Sequence, residues 1–298
     1  MKKILCLCLV TALAAISLCF AAYDIGGTET LNEKTPYELY TAAAEYVKNK
    51  MGCSVETQIT TAAGTITTSD GKTVNYSSES KSEVVRNDHG GNGVGTDVRI
   101  TDTSKINVEH NGQSVPHNTE SDMRFVGGRA YVKSSETSYK GYADISYEEF
   151  LSIIYGAMGI EASSESEGIM AIAEVSFRGV KFHRDGDLYC CDVMIDNETQ
   201  VKMAEDFRSS FGKLLGSPAL QNIKITDNYI KVYFDADGIL VKTVTGCSGE
   251  AELNGSKLKL DCETVSTYTF DNVPDVTAPA DADEYEDMTD ELRELFGA

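Results

Sequence analysis

The sequence lacks most of the features that identify an enzyme. It contains no tryptophan and only four histidines, which are His89, His110, His117 and His183. No Gly-x-Ser-x-Gly motif is present, and the glycine-rich residues 90–95 are followed neither by a helix signal nor by the lysine of a phosphate-binding loop. We therefore predict a non-catalytic protein that uses no metal ion and no cofactor.

Two short patterns suggest a metal ion, and each has a simpler interpretation. His110 and His117 are the only histidines close in sequence, but a metal site needs ligands that converge in space. Residues 235–238 read Asp-Ala-Asp-Gly, like the start of a calcium loop, yet Gly246 stands where such a loop needs glutamate. We interpret the first pair as surface histidines and the second pattern as a hairpin turn.

Basic residues are scarce as well. The chain has 26 Lys and Arg against 47 Asp and Glu, a net charge of −21. Because nucleic acids and anionic membrane surfaces are also negatively charged, this balance argues against either as a partner. The acidity itself is typical of a soluble protein, and the sequence does not identify a protein partner.

The N-terminus has the pattern of a secretory signal peptide. Lys2 and Lys3 precede an uncharged apolar run over residues 4–20, and Cys19 and Ala21 provide small side chains at both recognition positions of a cleavage site before Ala22. An uncleaved anchor is the alternative, but the run is near the lower length limit for a membrane span. A lipid anchor is disfavoured, because Leu18 stands directly before Cys19, where a lipid-attachment motif needs a small residue. We predict that residues 1–21 are removed and that the protein is secreted or held in the cell envelope.

Three helices are predicted from capping residues and apolar spacing. Thr35 with Glu38 and Ser146 with Glu149 form capping boxes for the first two, and Asn197 caps the third. The apolar stripes, in chain order, are Tyr40, Ala43, Ala44, Val47 and Met51; Phe150, Leu151, Ile154 and Met158; and Ala204, Phe207, Phe211, Leu214 and Leu215. We expect each stripe to pack on one core.

Most of the remaining chain, up to residue 270, has strand signals. Residues 228–270 form the clearest part, because Ile230, Val232 and Phe234 alternate with polar residues and turns follow at residues 235–238 and 254–255. Further strands are predicted at residues 55–59, 73–86, 98–109, 122–126, 129–133, 173–177 and 189–195. These signals indicate an antiparallel meander at the end of a long series of strands.

This order of elements favours the α+β class. Long antiparallel strands with a few separate helices predict a curved sheet with about three helices packed on one face. We predict a single domain over residues 22–285. The acidic stretch from Asp271 onward is expected to be a solvated tail, and residues 286–298 lie beyond the domain with a short helix at 287–296.

Several segments resemble the LolA and LppX superfamily of bacterial lipoprotein carriers. They are the capped helix over residues 37–51 and the segments 128–133 (GRAYVK), 193–197 (VMIDN) and 233–240 (YFDADGIL). The resemblance covers roughly residues 35–282 and is one of pattern, without a diagnostic motif. It implies a half-open antiparallel barrel with a helical lid around an apolar cavity for acyl chains. No functional residue is carried over by position.

Two functions are compatible with this sequence. The first is a carrier or receptor for a hydrophobic, lipid-like ligand in the envelope. The second is a secreted interaction, sensor or structural module with a filled core. For the first, we predict an apolar pocket between helices and sheet of at least about 300 Å³. The candidate pocket residues are Phe150, Leu151, Ile154, Phe207, Phe211, Ile230 and Val232.

Five cysteines remain after residue 21: Cys53, Cys190, Cys191, Cys247 and Cys262. If residues 254–255 form a two-residue turn, Cys247 and Cys262 face each other, with their Cα atoms about 5.5 Å apart. We predict a disulfide between them, and two buried thiols are the alternative. Cys190 and Cys191 point to opposite faces of their strand, so at least one thiol stays free.

Overall fold

The chain forms an open sheet of twelve strands with helices on it. The structure, a computed structural model, describes residues 27–50, 52–88, 96–110, 113–136, 139–158, 174–193, 220–253 and 255–291. The strands are β1 (Cys53–Thr67), β2 (Thr73–Asp88), β3 (Thr96–His110), β4 (Gln113–Val126), β5 (Arg129–Ser134), β6 (Tyr139–Ala143), β7 (His183–Asp185), β8 (Leu188–Val193), β9 (Leu220–Phe234), β10 (Leu240–Leu253), β11 (Ser256–Thr269) and β12 (Glu286–Asp287). None of the helices among these residues is long and apolar enough to cross a membrane.

The strand order is β12-β6-β5-β4-β3-β2-β1-β11-β10-β9-β8-β7, with β12 and β7 at its two ends. All neighbours are antiparallel except β12 and β6, which are parallel. Tight turns explain most of this order, since antiparallel strands that follow each other in the chain pair directly. The predicted α+β class and antiparallel sheet are confirmed.

Two α-helices lie in the described part of the chain, α1 (Pro36–Lys50) and α2 (Tyr147–Met158). The capping box of α1 is formed, because the Thr35 backbone N–H donates to Glu38 Oε2 at 2.9 Å. At α2 the Glu149 N–H donates to Ser146 Oγ at 3.1 Å. Both predicted helix starts are therefore confirmed, while the third predicted helix lies outside the described residues.

Both helices cover the same face of the sheet, which we call the inner face. Under α1, a core cluster joins Tyr40 and Val47 to Ile230, Val232 and Phe234, all at most 3 % exposed. Under α2, a second cluster joins Phe125 and Val98 to partly buried residues that include Tyr147 and Phe150. Since paired residues on neighbouring strands point to one face, the register places both clusters on the inner side.

The strand predicted at residues 173–177 is wrong. Glu174–Phe177 is a 3-10 turn, and Ser176 and Phe177 are both buried at 4 % and 6 % exposure, whereas a strand turns successive side chains to opposite faces. The ring centroid of Phe177 lies 5.5 Å from that of Tyr37 and 5.2 Å from that of Tyr40. Packing of this turn against α1 therefore determines its conformation.

The strand predicted at 122–126 begins earlier, at Gln113, and includes Pro116. Proline has no backbone N–H to donate to a neighbouring strand. Within a sheet it is therefore normally confined to positions where one side of its strand has no partner strand. That condition holds here, because β5 pairs with β4 only from Ser121 to Val126, and residue 116 has a partner only on β3.

The expected solvated tail is also corrected by the structure. Val276, Tyr285 and Met288 are buried at 7–8 % exposure. Residues 286–287 form β12 along the edge of β6, and the Met288 N–H donates to the Tyr142 carbonyl at 2.8 Å. After Met288, the helical residues that the structure describes are 289–291. Apolar residues spaced far apart within an acidic stretch give no periodic signal, which explains the wrong prediction.

Candidate functional site

Away from the helices, the inner face carries a row of hydroxyl side chains. The row crosses six strands through direct register partners: Thr245, Thr264, Thr60, Ser80, Ser104 and Thr119. Thr60 and Thr264 are 9 % and 3 % exposed and share a hydrogen bond of 2.9 Å between their hydroxyl oxygens. The inner face is therefore polar in its middle, although Thr245 at one end of the row pairs with Ile230.

Farther from the helices, the inner face becomes apolar again. Direct register partners place Val115, Val108, Tyr76, Gly64 and Leu260 in one row across β4, β3, β2, β1 and β11, which we call the distal apolar row. Val115 is 64 % exposed, Leu260 38 % and Val108 37 %. Three of the four large apolar side chains that are exposed in the described structure thus lie in a single row.

Gly64 makes the middle of the distal apolar row shallow. A Cβ atom at this position would lie 2.9 Å from Tyr76 Cε1 and only 2.0 Å from the Lys259 carbonyl oxygen. The Tyr76 ring therefore crosses over the glycine, and burial raises the pKa of the Tyr76 hydroxyl to about 12. The Tyr76 ring therefore occupies the middle of the row, with Val108 on one side and Leu260 on the other.

The predicted pocket residues do not lie in the distal apolar row. Ile230 and Val232 are in the core cluster under α1, at 2 % and 0 % exposure. The ring centroid of Phe150 lies 5.1 Å from that of Phe125, and Leu151 is partly exposed. The side chain of Ile154, and both Phe207 and Phe211, lie outside the described residues. Their role in lining a pocket stays a prediction.

The predicted register of Cys247 and Cys262 is confirmed, because the two are direct partners on β10 and β11. Both are partly exposed and no disulfide joins them, so the predicted disulfide is not formed in the structure. Their position supplies the physical reason, since directly opposite residues in a hydrogen-bonded pair have Cβ atoms about 5.5 Å apart, whereas a disulfide needs about 3.8 Å. The pair lies on the inner face, one row from Leu260.

A groove with a volume of about 750 Å³ runs across the opposite, outer face. Its lining includes residues on both sides of the row that contains Cys247 and Cys262: Tyr229, Glu263, Thr61, Glu79, Lys105 and Asn118 on one side, and Ser248, Asp261, Ala63, Ser77, Asn107 and Pro116 on the other. Since side chains alternate along a strand, these two sets point away from the helices. None of the predicted pocket residues belongs to the lining.

Charged and hydroxyl side chains of the outer groove pair with one another. Lys105 Nζ lies 3.4 Å from Glu79 Oε1, and the Tyr229 hydroxyl donates to Glu263. The Tyr229 ring covers Gly246, where a Cβ atom would lie 2.2 Å from it. The large apolar side chains that are exposed on the inner face lie in the distal apolar row, which is therefore our candidate for a hydrophobic ligand.

The structure separates the histidines that are closest in sequence. His117 pairs with Ile106, whereas His110 pairs with Gln113, so the two lie four register positions apart, about 13 Å along the strands. His117 Nε2 lies instead 3.7 Å from Glu136 Oε1. Within the described ranges, no three His, Cys, Asp or Glu residues converge as metal ligands.

No protein-family model matches the chain, and no curated protein matches it. Among solved structures, it is similar to a beta-barrel-like DUF1849 protein from Brucella abortus, with 8 % identity and a TM-score of 0.20 over 76 % of this chain and 98 % of that one. It is also similar to the translocator domain of the autotransporter NalP from Neisseria meningitidis, with 7 % identity and a TM-score of 0.20 over 78 % of this chain and 95 % of that one. A third similar structure is a DUF1329 protein from Desulfovibrio piger, with 13 % identity and a TM-score of 0.20 over 78 % of this chain and 92 % of that one. These scores are too low to assign a shared fold.

Proposed function

We propose that the protein is a non-catalytic carrier or receptor for a hydrophobic, lipid-like ligand outside the cytoplasm. Residues 1–21 act as a cleaved signal peptide, and the chain from residue 22 through β12 forms one domain whose sheet curves into a half-open barrel. The ligand lies on the inner face along the distal apolar row. The acidic composition fits such a role, because the protein stays soluble while it carries an apolar molecule.

The exposed side chains of the distal apolar row carry this proposal. Soluble proteins scatter single apolar residues over their surfaces, but a contiguous apolar patch usually marks a binding site. Val115 and Val108 are direct register partners, and Tyr76 and Gly64 lie between Val108 and Leu260 in the same row. Gly64 removes a side chain from the middle of the row, and the Tyr76 ring provides a flat apolar surface beside it.

Analysis of copurifying lipid tests the proposal. The full chain is produced in its own host, and bound molecules are identified by native mass spectrometry and solvent extraction. We expect Val108→Asn together with Leu260→Asn to reduce the bound lipid several-fold, because the polar amides make the distal apolar row unfavourable for acyl chains.

Ile59→Asn is the matched control, because Ile59 is 41 % exposed but lies on the outer face. It should leave the bound lipid unchanged. Equal loss in the control and the double variant would reject the distal apolar row as the site. Absence of any copurifying lipid from the wild-type protein would reject the carrier function.

A second candidate, the interaction or structural module with a filled core, is favoured by the packing of the predicted pocket residues. Ile230 and Val232 are fully enclosed, and the ring of Phe150 packs at a tilt against that of Phe125. A protein without bound lipid but with a stable envelope partner, recovered by cross-linking in intact cells, would support this module instead.

A further inference from the structure

The outer groove is long, and its lining is mixed. The residues that line it lie on seven neighbouring strands, from Tyr229 on β9 to Pro116 and Asn118 on β4. Six spacings between strands, of about 4.8 Å each, give the groove a length of about 29 Å. Carbon atoms contribute more of its exposed lining than nitrogen and oxygen atoms do. A ligand that fits this surface is extended and has both apolar and hydrogen-bonding groups.

The ring of Tyr229 lies along the sheet at one end of the groove. Its register partner is Gly246 on β10, whose own partner on β11 is Glu263. The Tyr229 hydroxyl donates to Glu263, two strands away, and the ring covers Gly246 on the way. Lys231 lies beside the ring, with Nζ 5.8 Å from the ring centroid. A ring that reaches two strands across cannot stand upright on the sheet, so one of its faces rests on the backbone and the other is turned to the groove.

The charged side chains of the groove are mostly paired with one another. Lys105 lies 3.4 Å from Glu79, and Glu263 accepts a hydrogen bond from Tyr229. The third carboxylate of the lining, Asp261, is exposed, and its side chain makes no ion pair or hydrogen bond with another described residue. An anionic ligand would meet three carboxylates, and a cationic one would find two of them already engaged. Charge complementarity therefore favours a ligand without net charge.

An uncharged glycan has the groups that this lining requires. The C–H faces of sugar rings pack on aromatic rings, and sugar hydroxyls both donate and accept hydrogen bonds. Amides of Asn107 and Asn118 and hydroxyls of Ser77 and Ser248 lie along the groove. The Asp261 carboxylate has two oxygens that can accept hydrogen bonds from neighbouring hydroxyls of one sugar.

We propose that the outer groove binds an extended, uncharged glycan chain, with one sugar ring stacked on Tyr229 and sugar hydroxyls bonded to Asp261 and to the amides of the lining. The site is independent of the proposed lipid-binding function, since it lies on the opposite face of the sheet from the distal apolar row. If both sites act, the protein holds a lipid on one face of its sheet while the other face is fixed to a glycan.

Isothermal titration calorimetry with two uncharged hexasaccharides, one of N-acetylglucosamine and one of glucose, tests the site in the full chain. We expect saturable binding of at least one of them. Tyr229→Ala should weaken binding about tenfold, because the stacking surface is lost. Tyr229→Phe keeps the ring and should retain most of the affinity. Asp261→Ala changes an exposed residue and should weaken binding several-fold.

Ile59→Asn is the control on the same face, because Ile59 is 41 % exposed but does not line the groove. It should leave glycan binding unchanged, as should the inner-face variant with Val108→Asn and Leu260→Asn. Absence of binding by both hexasaccharides, or equal weakening by Ile59→Asn, would overturn the proposal. Binding of decalysine in place of the hexasaccharides would also overturn it and would identify a surface for basic peptides.

Carbodiimide labelling of carboxyl groups in the wild-type protein provides a readout that does not depend on the folding of the variants. Bound hexasaccharide should protect Asp261 from labelling, as measured by peptide mapping. Asp237, which is exposed in the turn between β9 and β10, should stay reactive. Unchanged labelling of Asp261 at saturating hexasaccharide would show that the glycan binds elsewhere and would contradict the proposed site.

Discussion

Gly64 lies where two neighbouring strands leave no room for a side chain. A Cβ atom would meet the Lys259 carbonyl at 2.0 Å, and that obstacle is backbone held in the β1–β11 ladder. We expect Gly64→Ala to lower the free energy of unfolding by about 1–3 kcal/mol, because the strands must move apart. Urea denaturation followed by circular dichroism measures the change.

Gly246→Ala is the matched comparison for this substitution. There the new Cβ atom meets the ring of Tyr229, a side chain that can rotate away, rather than backbone. The loss of stability should therefore be smaller than at Gly64. A larger loss at Gly246 would show that the close approach of β1 and β11 is relieved in solution.

Asp122 links the stability of the outer face to pH. Burial raises its pKa, but hydrogen bonds from Arg124 and Arg99 outweigh that effect, so the pKa is lowered on balance. A lowered pKa in the folded state contributes stability above the unfolded value of about 3.9, and this contribution is lost as pH falls through the folded value. Asp122→Asn should therefore destabilise the protein at pH 7 by about 1–2 kcal/mol, with a difference that shrinks below about pH 4.

Unfolding curves of wild-type and Asp122→Asn protein between pH 3 and about pH 7 test this expectation. Asp70→Asn serves as a control, because the pKa of Asp70 is also lowered, through Lys72 and Thr68, but at a fully exposed position. It should change the profile little. A pH-independent difference for Asp122→Asn would show that packing, not charge, accounts for its effect.

At the scale of elements, β12 protects the edge of β6. Exposed edge strands present unpaired N–H and C=O groups and promote association between molecules. Only Glu286 and Asp287 pair with β6, but Met288 and the Lys140–Asp281 ion pair of 2.7 Å hold the segment in place. We expect a chain ending at Tyr285 to self-associate, as measured by sedimentation velocity.

A chain ending at Glu291 is the control, because it retains β12. It should sediment as the full-length protein does. If the chain ending at Tyr285 behaves in the same way, the edge of β6 is not an association surface.

The elements that were predictable are those defined by local signals. The β10–β11 hairpin follows from a two-residue turn, and the capping boxes of α1 and α2 follow from residues three positions apart. The distal apolar row has no such signal, because it depends on the register of β1 with both β2 and β11. Strands β1 and β11 are almost 200 residues apart in the chain, and a shift of one residue turns every side chain to the other face.

At the scale of the whole molecule, a polar region separates the two apolar clusters of the inner face. Glu56 lies there, 3.3 Å from Arg86, with side-chain exposures of only 10 % and 15 %. The clusters under α1 and α2 do not share residues. Continuity between them therefore depends on the backbone ladders of β11, β1 and β2, which pair along almost their whole length.

Because these ladders join the two clusters, we expect the sheet to unfold as one cooperative unit. Phe125 is 2 % exposed in the cluster under α2, and its replacement by Ala should cost about 3–5 kcal/mol through the cavity and the lost apolar contacts. If the sheet is cooperative, amide exchange should accelerate by the same factor in β9 and β10, across the sheet, as in β3 and β4.

Hydrogen exchange, measured by mass spectrometry on individual peptides, reports the exchange rate of each half of the sheet separately. Ile230→Ala, in the cluster under α1, is the reciprocal variant and should accelerate exchange in β3 and β4 as well. Because one sheet carries both clusters, opening either should require breaking the β1 ladders that join them. Acceleration confined to the mutated half in both variants would show instead that the polar region around Glu56 and Arg86 divides the molecule into two folding units.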